Sequence, residues 1–180
     1  MIDEVTILDK TFLVYITADQ IQNRVNEIAK KLNISHNGKN PLFLVILNGS
    51  FIFASDLLKK ISIDCEISFI KLASYFGTSS TGKITTMIGL SESLKGKDII
   101  IIEDIIDTGR TMKNLLEILH DHNPHAITIV TLLFKKEALI ENIKPDYVGF
   151  EVQDKFLVGY GLDYNSFGRN MENIYVLKED

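Results

Sequence analysis

The chain holds a single cysteine, Cys65, among its 180 residues. An intrachain disulfide is therefore excluded, and a reducing compartment fits. The surrounding Ile63-Asp64-Cys65-Glu66-Ile67 reads as a strand position, which makes Cys65 a small packing residue rather than a nucleophile. Excess positive charge is also missing, since the net charge is −5. Broad nucleic-acid binding calls for a basic surface and is disfavoured. A phosphorylated ligand is still permitted, because local basic groups or a bound cation can offset the global sign. No apolar run reaches membrane-spanning length. Met1-Ile2-Asp3-Glu4 is acidic where a secretory signal is basic. The expectation is a soluble, cytoplasmic protein that engages neither membrane nor nucleic acid. Internal repeats, low-complexity tracts and linkers are absent as well. The four histidines, His36, His120, His122 and His125, do not form a metal cluster. Three of them bracket a helix-to-strand turn and read as surface polar residues.

The chain is 46% hydrophobic and 24% charged, so it can bury a full core. Its length suits one domain with a small attached lobe. Val5 to Leu8 reads as a short strand. Thr17 and Gln20 match a capping box, and Ile21, Val25, Ile28, Ala29 and Leu32 follow at helical spacing. Leu42 to Leu47 is a buried strand, Asn48-Gly49-Ser50 a tight turn, and Phe51 to Lys60 a helix. Strands are also predicted over Glu66 to Ala73, Ile84 to Leu90, Ala126 to Phe134, Tyr147 to Phe150, Phe156 to Tyr160 and Ile174 to Leu177. Strands alternating with helices imply an α/β fold with a largely parallel twisted sheet. Ser74 to Lys83 is small and polar with two glycines; it reads either as a solvated hairpin loop or as a mobile lid.

The densest chemistry lies between Asp98 and Thr111. Ile99 to Ile102 is a β-branched run, apolar on both faces as a central parallel strand is. An acidic turn follows, with Glu103, Asp104 and then Asp107. Thr108-Gly109-Arg110-Thr111 opens a helix whose apolar set is Met112, Leu115, Leu116, Ile118 and Leu119. A single acid there would be a solvated turn residue or an N-cap. Three crowded carboxylates repel one another unless something binds. Strand, acidic turn and Gly-containing helix entry together describe a ligand site at the carboxyl end of a sheet, where helix N–H groups hold phosphate.

Ile101-Ile102-Glu103-Asp104-Ile105-Ile106-Asp107-Thr108-Gly109 resembles the phosphoribosyl-pyrophosphate (PRPP) signature of type I phosphoribosyltransferases, in the wording of the hypoxanthine-guanine branch. Leu47-Asn48-Gly49-Ser50-Phe51, Ser74-Tyr75, Lys135 and the run from Lys155 to Tyr164 fall in the family's order. The resemblance covers nearly the whole chain. It implies the type I phosphoribosyltransferase fold: a mostly parallel sheet flanked by helices, a flexible lid, and a small hood from residues near 1–16 and 150–180. The implied reaction joins a 6-oxopurine (hypoxanthine, with guanine as second substrate) to PRPP and releases pyrophosphate.

By the same resemblance, Glu103 and Asp104 bind the ribose hydroxyls, to which Mg²⁺ bridges, and Asp163 binds Mg²⁺ with few other protein ligands and several waters. Asp107 faces purine N7, either as general acid/base or as a hydrogen-bond partner of a proton already there. Asp107, Thr108, Gly109, Arg110 and Thr111 cradle the 5′-phosphate; the Arg110 side chain sits at a family-variable position. Lys135 meets purine O6, with Lys136 as its competitor. Phe156 stacks on the purine, Leu157 reads its exocyclic edge through the backbone, and Asp163 completes the base pocket. Asn48, Gly49, Ser74, Tyr75 and Arg169 hold pyrophosphate. Read without the family, Lys135 is a strand-end cation, Phe156-Leu157-Val158 is core, and Ser74-Tyr75 is an exposed pair with no task.

Two positions depart from the family's pattern. Asn48 stands where a basic residue is common, so no cationic side chain is available there. The family places a cis peptide at this turn to present backbone groups, a role Asn-Gly can keep. Gly168 stands where an aromatic is common before Arg169. Relatives acting on orotate or adenine are disfavoured by Lys135 and Phe156. A non-catalytic nucleic-acid-binding regulator is disfavoured by the acidic charge balance and by Asp107, Lys135 and Asp163 occurring together. The family is usually dimeric or tetrameric, so a homodimer or homotetramer is expected.

Overall fold

The structure, a computed structural model, describes residues 4–74, 84–88 and 93–179. Among the described residues, ten strands and three α-helices follow in the order β1 (Glu4–Ile7), β2 (Lys10–Ile16), α1 (Ala18–Ser35), β3 (Leu42–Leu47), α2 (Phe51–Leu58), β4 (Glu66–Ser74), β5 (Ile84–Ile88), β6 (Asp98–Ile106), α3 (Arg110–Asp121), β7 (Ala126–Phe134), β8 (Tyr147–Glu151), β9 (Leu157–Val158) and β10 (Ile174–Leu177). The main sheet has the order β5-β4-β3-β6-β7-β8. Its strands are parallel except β5, which runs antiparallel to β4. This is the fold class anticipated from the sequence.

Period-two alternation divides the core. Phe43, Val45, Ile100 and Ile102 face α1 and α2, packing on Ile21, Val25, Phe53 and Leu57. Leu42, Leu44, Ile99 and Ile101 face the other way, onto Met112, Leu115 and Leu119 of α3. Buried on both faces, β3 and β6 need apolar residues at every position, hence Leu-Phe-Leu-Val-Ile-Leu and Ile-Ile-Ile-Ile. Helix α1 begins at the expected capping box: Gln20 N–H donates to Thr17 Oγ1 at 3.3 Å, and Thr17 N–H donates to Gln20 Oε1 at 2.9 Å. It ends at His36, which is buried and lies 2.8 Å from Ser35 Oγ and 3.3 Å from Thr128 Oγ1. Burial, with the nearby Lys39 charge, holds the His36 pKa below its ordinary value. The other three histidines are exposed.

A second, antiparallel sheet has the order β1-β2-β10-β9. Phe12, Ile7 and Val158 form its own small core. Strand β2 was not anticipated. The C-terminal part of this sheet begins later than residue 150, because Phe150 and Glu151 still pair with Leu133 and Phe134 in the main sheet. Tyr160, buried just beyond β9, donates its hydroxyl to Asp56 Oδ2 of α2 at 2.7 Å, and Gln22 of α1 donates to the same oxygen at 2.7 Å. That carboxylate ties both helices to the segment leaving the second sheet. Cys65 lies just before β4 rather than within it, packs against the core, and has its thiol pKa raised by burial. A thiol so placed is a poor nucleophile. No helix among the described residues is long and apolar enough to cross a membrane.

Candidate active site

Strands β3 and β6 are hydrogen-bonded neighbours, yet the helices that follow them cover opposite faces of the sheet. A crevice opens at such a point, beyond the carboxyl ends of the two strands. Asn48 and Gly49 leave β3 there, and Asp107 to Thr111 leave β6. The Leu47–Asn48 peptide is cis, as the family resemblance implies for this turn.

The expected acidic turn is strand. Strand β6 continues to Ile106 because β7 keeps pairing with it, Glu103 opposite Thr131 and Ile105 opposite Leu133. Glu103 and Asp104 therefore alternate across the sheet instead of sharing a loop. Glu103 is buried, and burial drives its carboxyl pKa well up, with the Asp104 charge adding to the effect. Asp104 is half-buried; its Oδ1 accepts from Ile105 N–H at 2.8 Å. The backbone of Gly49 lies against this carboxylate so closely that a Cβ would fall 1.5 Å from Asp104 Oδ2. Gly161 in turn crosses Gly49: a Cβ there would lie 1.9 Å from the Gly49 carbonyl oxygen. Asp104, Gly49 and Gly161 thus form a stack joining β6, β3 and the segment after β9.

Asp107, Thr108, Gly109 and Thr111 line one pocket with Glu103 and Met112. Gly109 caps α3 at φ +81°, a conformation that side chains disfavour. Leu139 and Ile143 fill the space a Cβ would need, at 3.0 and 3.2 Å. The Thr108 carbonyl accepts from Ile140 and Glu141 N–H at 3.1 Å each, fixing the loop from outside. The first turn of α3 presents N–H groups without partners inside the helix, which suit a phosphate. The Arg110 and Thr111 residues are exposed.

Lys135 and Lys136 are separated by burial. Lys135 is 8% exposed, whereas Lys136 begins a short 3₁₀ turn and is exposed. Lys135 N–H donates to the Ile106 carbonyl at 2.9 Å, placing the residue beside Asp107. Its ammonium donates to Asp107 Oδ2 at 3.3 Å and to Asp154 Oδ1 at 2.9 Å. Asp154 escaped sequence reasoning. It lies in the β8–β9 loop, and only its place two residues before Phe156 hinted at a role.

Phe156 is half-exposed and rests against Phe12 and, edge-on, Tyr164, with centroids 6.3 and 5.8 Å apart. Its neighbour Leu157 is buried in β9, an edge strand of the second sheet. Leu177 N–H donates to the Phe156 carbonyl, and Leu157 is opposite Val176. In an antiparallel ladder this register turns the Leu157 N–H and C=O away from β10, toward the open edge.

Asp163 and Arg169 are paired with each other. Asp163 also accepts from Ser166 N–H at 2.7 Å, and Arg169 donates to the Gly161 carbonyl at 2.6 Å. Both therefore belong to the segment that crosses Gly49. Gly168, at φ +93°, fits where a Cβ would press on Val158 and Ile7 at 2.7 and 2.9 Å, so the aromatic common there in the family has no room in this packing. Ser74 ends β4; Tyr75 and the expected lid beyond it lie outside the described residues.

The donor set suits Mg²⁺. No group of three potential ligands occurs among the described residues. Mg²⁺ prefers one or two carboxylates with waters and substrate oxygens to an all-protein cage.

Known proteins resemble this chain in sequence and fold. The phosphoribosyl transferase domain profile matches residues 17–165. A hypoxanthine-guanine phosphoribosyltransferase of Lactococcus lactis is 43% identical over 96% of this chain and 95% of its own. One from Staphylococcus aureus is 40% identical over 93% of this chain and 94% of its own. The crystal structure of a hypoxanthine phosphoribosyltransferase from Staphylococcus aureus superposes with TM-score 0.87 at 40% identity, covering 92% of this chain and 90% of that one. Fold, strand-end carboxylates and these relatives agree: the chain belongs to the type I phosphoribosyltransferases, on their hypoxanthine-guanine branch.

Proposed function

We propose that this protein is a purine-salvage transferase that moves the 5-phosphoribosyl group from PRPP to hypoxanthine, and to guanine, with Mg²⁺. The observation that carries the reading is the convergence of Glu103, Asp104, Asp107 and Lys135 on adjacent strand ends beside a phosphate-sized helix entry. In the reaction the ribose C1–O bond breaks, a C1–N bond to the base forms, and the base gives up one proton. Positive charge builds on the sugar as pyrophosphate leaves. The protein's task is to orient both reactants and to offset the charges that develop.

Glu103 and Asp104 receive the ribose hydroxyls. The backbone of Thr108 to Thr111 holds the 5′-phosphate, with Asp107 at its rim. Asn48 and Gly49 offer backbone groups to pyrophosphate, joined by Arg169 and by Ser74 and Tyr75. Lys135 donates to O6 of the base, Phe156 covers its face, and the outward backbone of Leu157 meets the exocyclic edge. Asp163 completes the base pocket. Glu103, Asp104 and Asp163 are the residues that would hold Mg²⁺, one or two to an ion with waters and substrate oxygens, and the ion would supply counter-charge to the leaving pyrophosphate. The protein works in the cytoplasm as a homodimer or homotetramer.

The direct test is pyrophosphate release from PRPP with hypoxanthine, guanine, xanthine and adenine offered separately. Turnover is expected with hypoxanthine and guanine, and its loss is expected on chelation of Mg²⁺. Absence of turnover with every base, in protein that binds PRPP, would mean a PRPP sensor instead. Lys135→Ala should raise the KM for hypoxanthine by roughly tenfold or more, as loss of a charged hydrogen bond does. Lys136→Ala should leave it alone; the opposite result would hand the O6 contact to Lys136.

A further inference from the structure

We propose that Asp154 is a positioning residue for recognition of the purine 6-oxo group, acting through Lys135. The assignment rests on the reading that Lys135 donates to O6.

Topology makes Asp154 a neighbour of the site. Strands β6, β7 and β8 lie side by side, and Asp107, Lys135 and Asp154 follow their respective ends. Val152 N–H donates to the Phe134 carbonyl at 3.0 Å, pinning the loop after β8 to the residue that precedes Lys135. The loop that carries Phe156 and Leu157 thus also carries a carboxylate to the Lys135 ammonium.

A lysine side chain is a flexible stem ending in three N–H donors and no acceptor. In this protein two of those donors are directed at carboxylates, Asp154 at 2.9 Å and Asp107 at 3.3 Å. One N–H remains for a ligand. It can meet a carbonyl oxygen, whereas an amino group at the same place would set donor against donor. Two anchors fix where that N–H points; with Asp107 alone the ammonium could swing about the longer contact. Asp154 also provides a counter-charge to a lysine whose side chain is only 10% exposed, at a moment when Asp107 is occupied by N7. A fold-stabilising role does not explain it: the Asp154 side chain is 62% exposed, and ion pairs that open to water add little stability.

Equilibrium binding of the nucleotides IMP and AMP, measured by calorimetry on the intact protein, tests this without requiring turnover. Asp154→Ala is expected to weaken IMP by roughly tenfold, the size of a lost charge-assisted contact, and to leave AMP nearly unchanged. Asp154→Glu should recover most of the IMP affinity. In a Lys135→Ala background, Asp154→Ala should have no further effect, because both act on one contact. Unchanged IMP affinity overturns the assignment. So does equal weakening of IMP and AMP, which is what a structural defect would produce, or a full loss that persists without Lys135. If Lys135→Ala itself spares IMP, or wild-type protein binds neither nucleotide, the reading beneath the assignment fails and takes it along.

Discussion

Asp107→Asn is expected to fold normally, to bind PRPP nearly as well as the wild type, and to lose turnover by about 10²- to 10⁴-fold, the usual scale of general acid–base catalysis. The expectation follows from where the side chain lies. Asp107 is the first residue past β6, and its side chain is 46% exposed, facing the pocket rather than the core. An isosteric amide there disturbs little packing. The amide oxygen can still accept from Lys135, which approaches Oδ2 at 3.3 Å. What disappears is a group able to exchange a proton with N7. Single-turnover kinetics combined with PRPP binding would separate the two quantities. A variant that keeps wild-type turnover would eliminate proton transfer. One that loses about an order of magnitude would favour the milder role, a hydrogen bond to a proton already on the base.

The second large effect is expected at Gly161→Ala. A methyl group at Gly161 meets the Gly49 carbonyl oxygen at 1.9 Å, a backbone atom that cannot rotate aside. The residue also sits at φ +103°, outside the range side chains adopt. Strain and overpacking together should destabilise the fold by roughly 3 kcal/mol. Because the displaced partner is the Asn48–Gly49 turn, the KM for PRPP should rise more than the KM for the base. Gly38→Ala is the control: it too has positive φ, +74°, but nothing lies within 4 Å of the new atom. Thermal midpoints of the two variants separate clash from conformational strain. A Gly161→Ala protein no less stable than Gly38→Ala, with unaltered PRPP kinetics, would refute the idea that this crossing shapes the site.

Much of this was legible in the residues themselves. Runs such as Leu42 to Leu47 and Ile99 to Ile102 are apolar on both faces, and only a covered parallel strand needs that. The Thr17–Gln20 box marked the start of α1 because its two hydrogen bonds are local. Failures arose where a distant partner decides the conformation. Glu103 and Asp104 read as a turn because acids seldom lie in a central strand; pairing with β7 as far as Phe134 overrides that preference. Strand β2 did carry a signal in Thr11-Phe12-Leu13-Val14-Tyr15-Ile16, but its partners lie at the two ends of the chain. His36 carries no local sign of burial, yet it is buried beside Thr128 of β7. Asp154 had no local mark beyond its place two residues before Phe156: its meaning depends on β8 lying next to β7, which is a fact of sheet order.

That order has an evolutionary consequence. In the proposed reading, β6 and its helix entry take the ribose and 5′-phosphate of the donor, and on one side of β6 the turn after β3 takes the pyrophosphate. On the other side, the same reading gives the base to the ends of β7 and β8, through Lys135 and the loop from Asp154 to Leu157. The two halves thus sit on different strands, on either side of β6. A descendant lineage can change the nucleobase it accepts by exchanging a few strand-end residues, keeping its hold on the common donor and leaving every core side chain of the sheet in place.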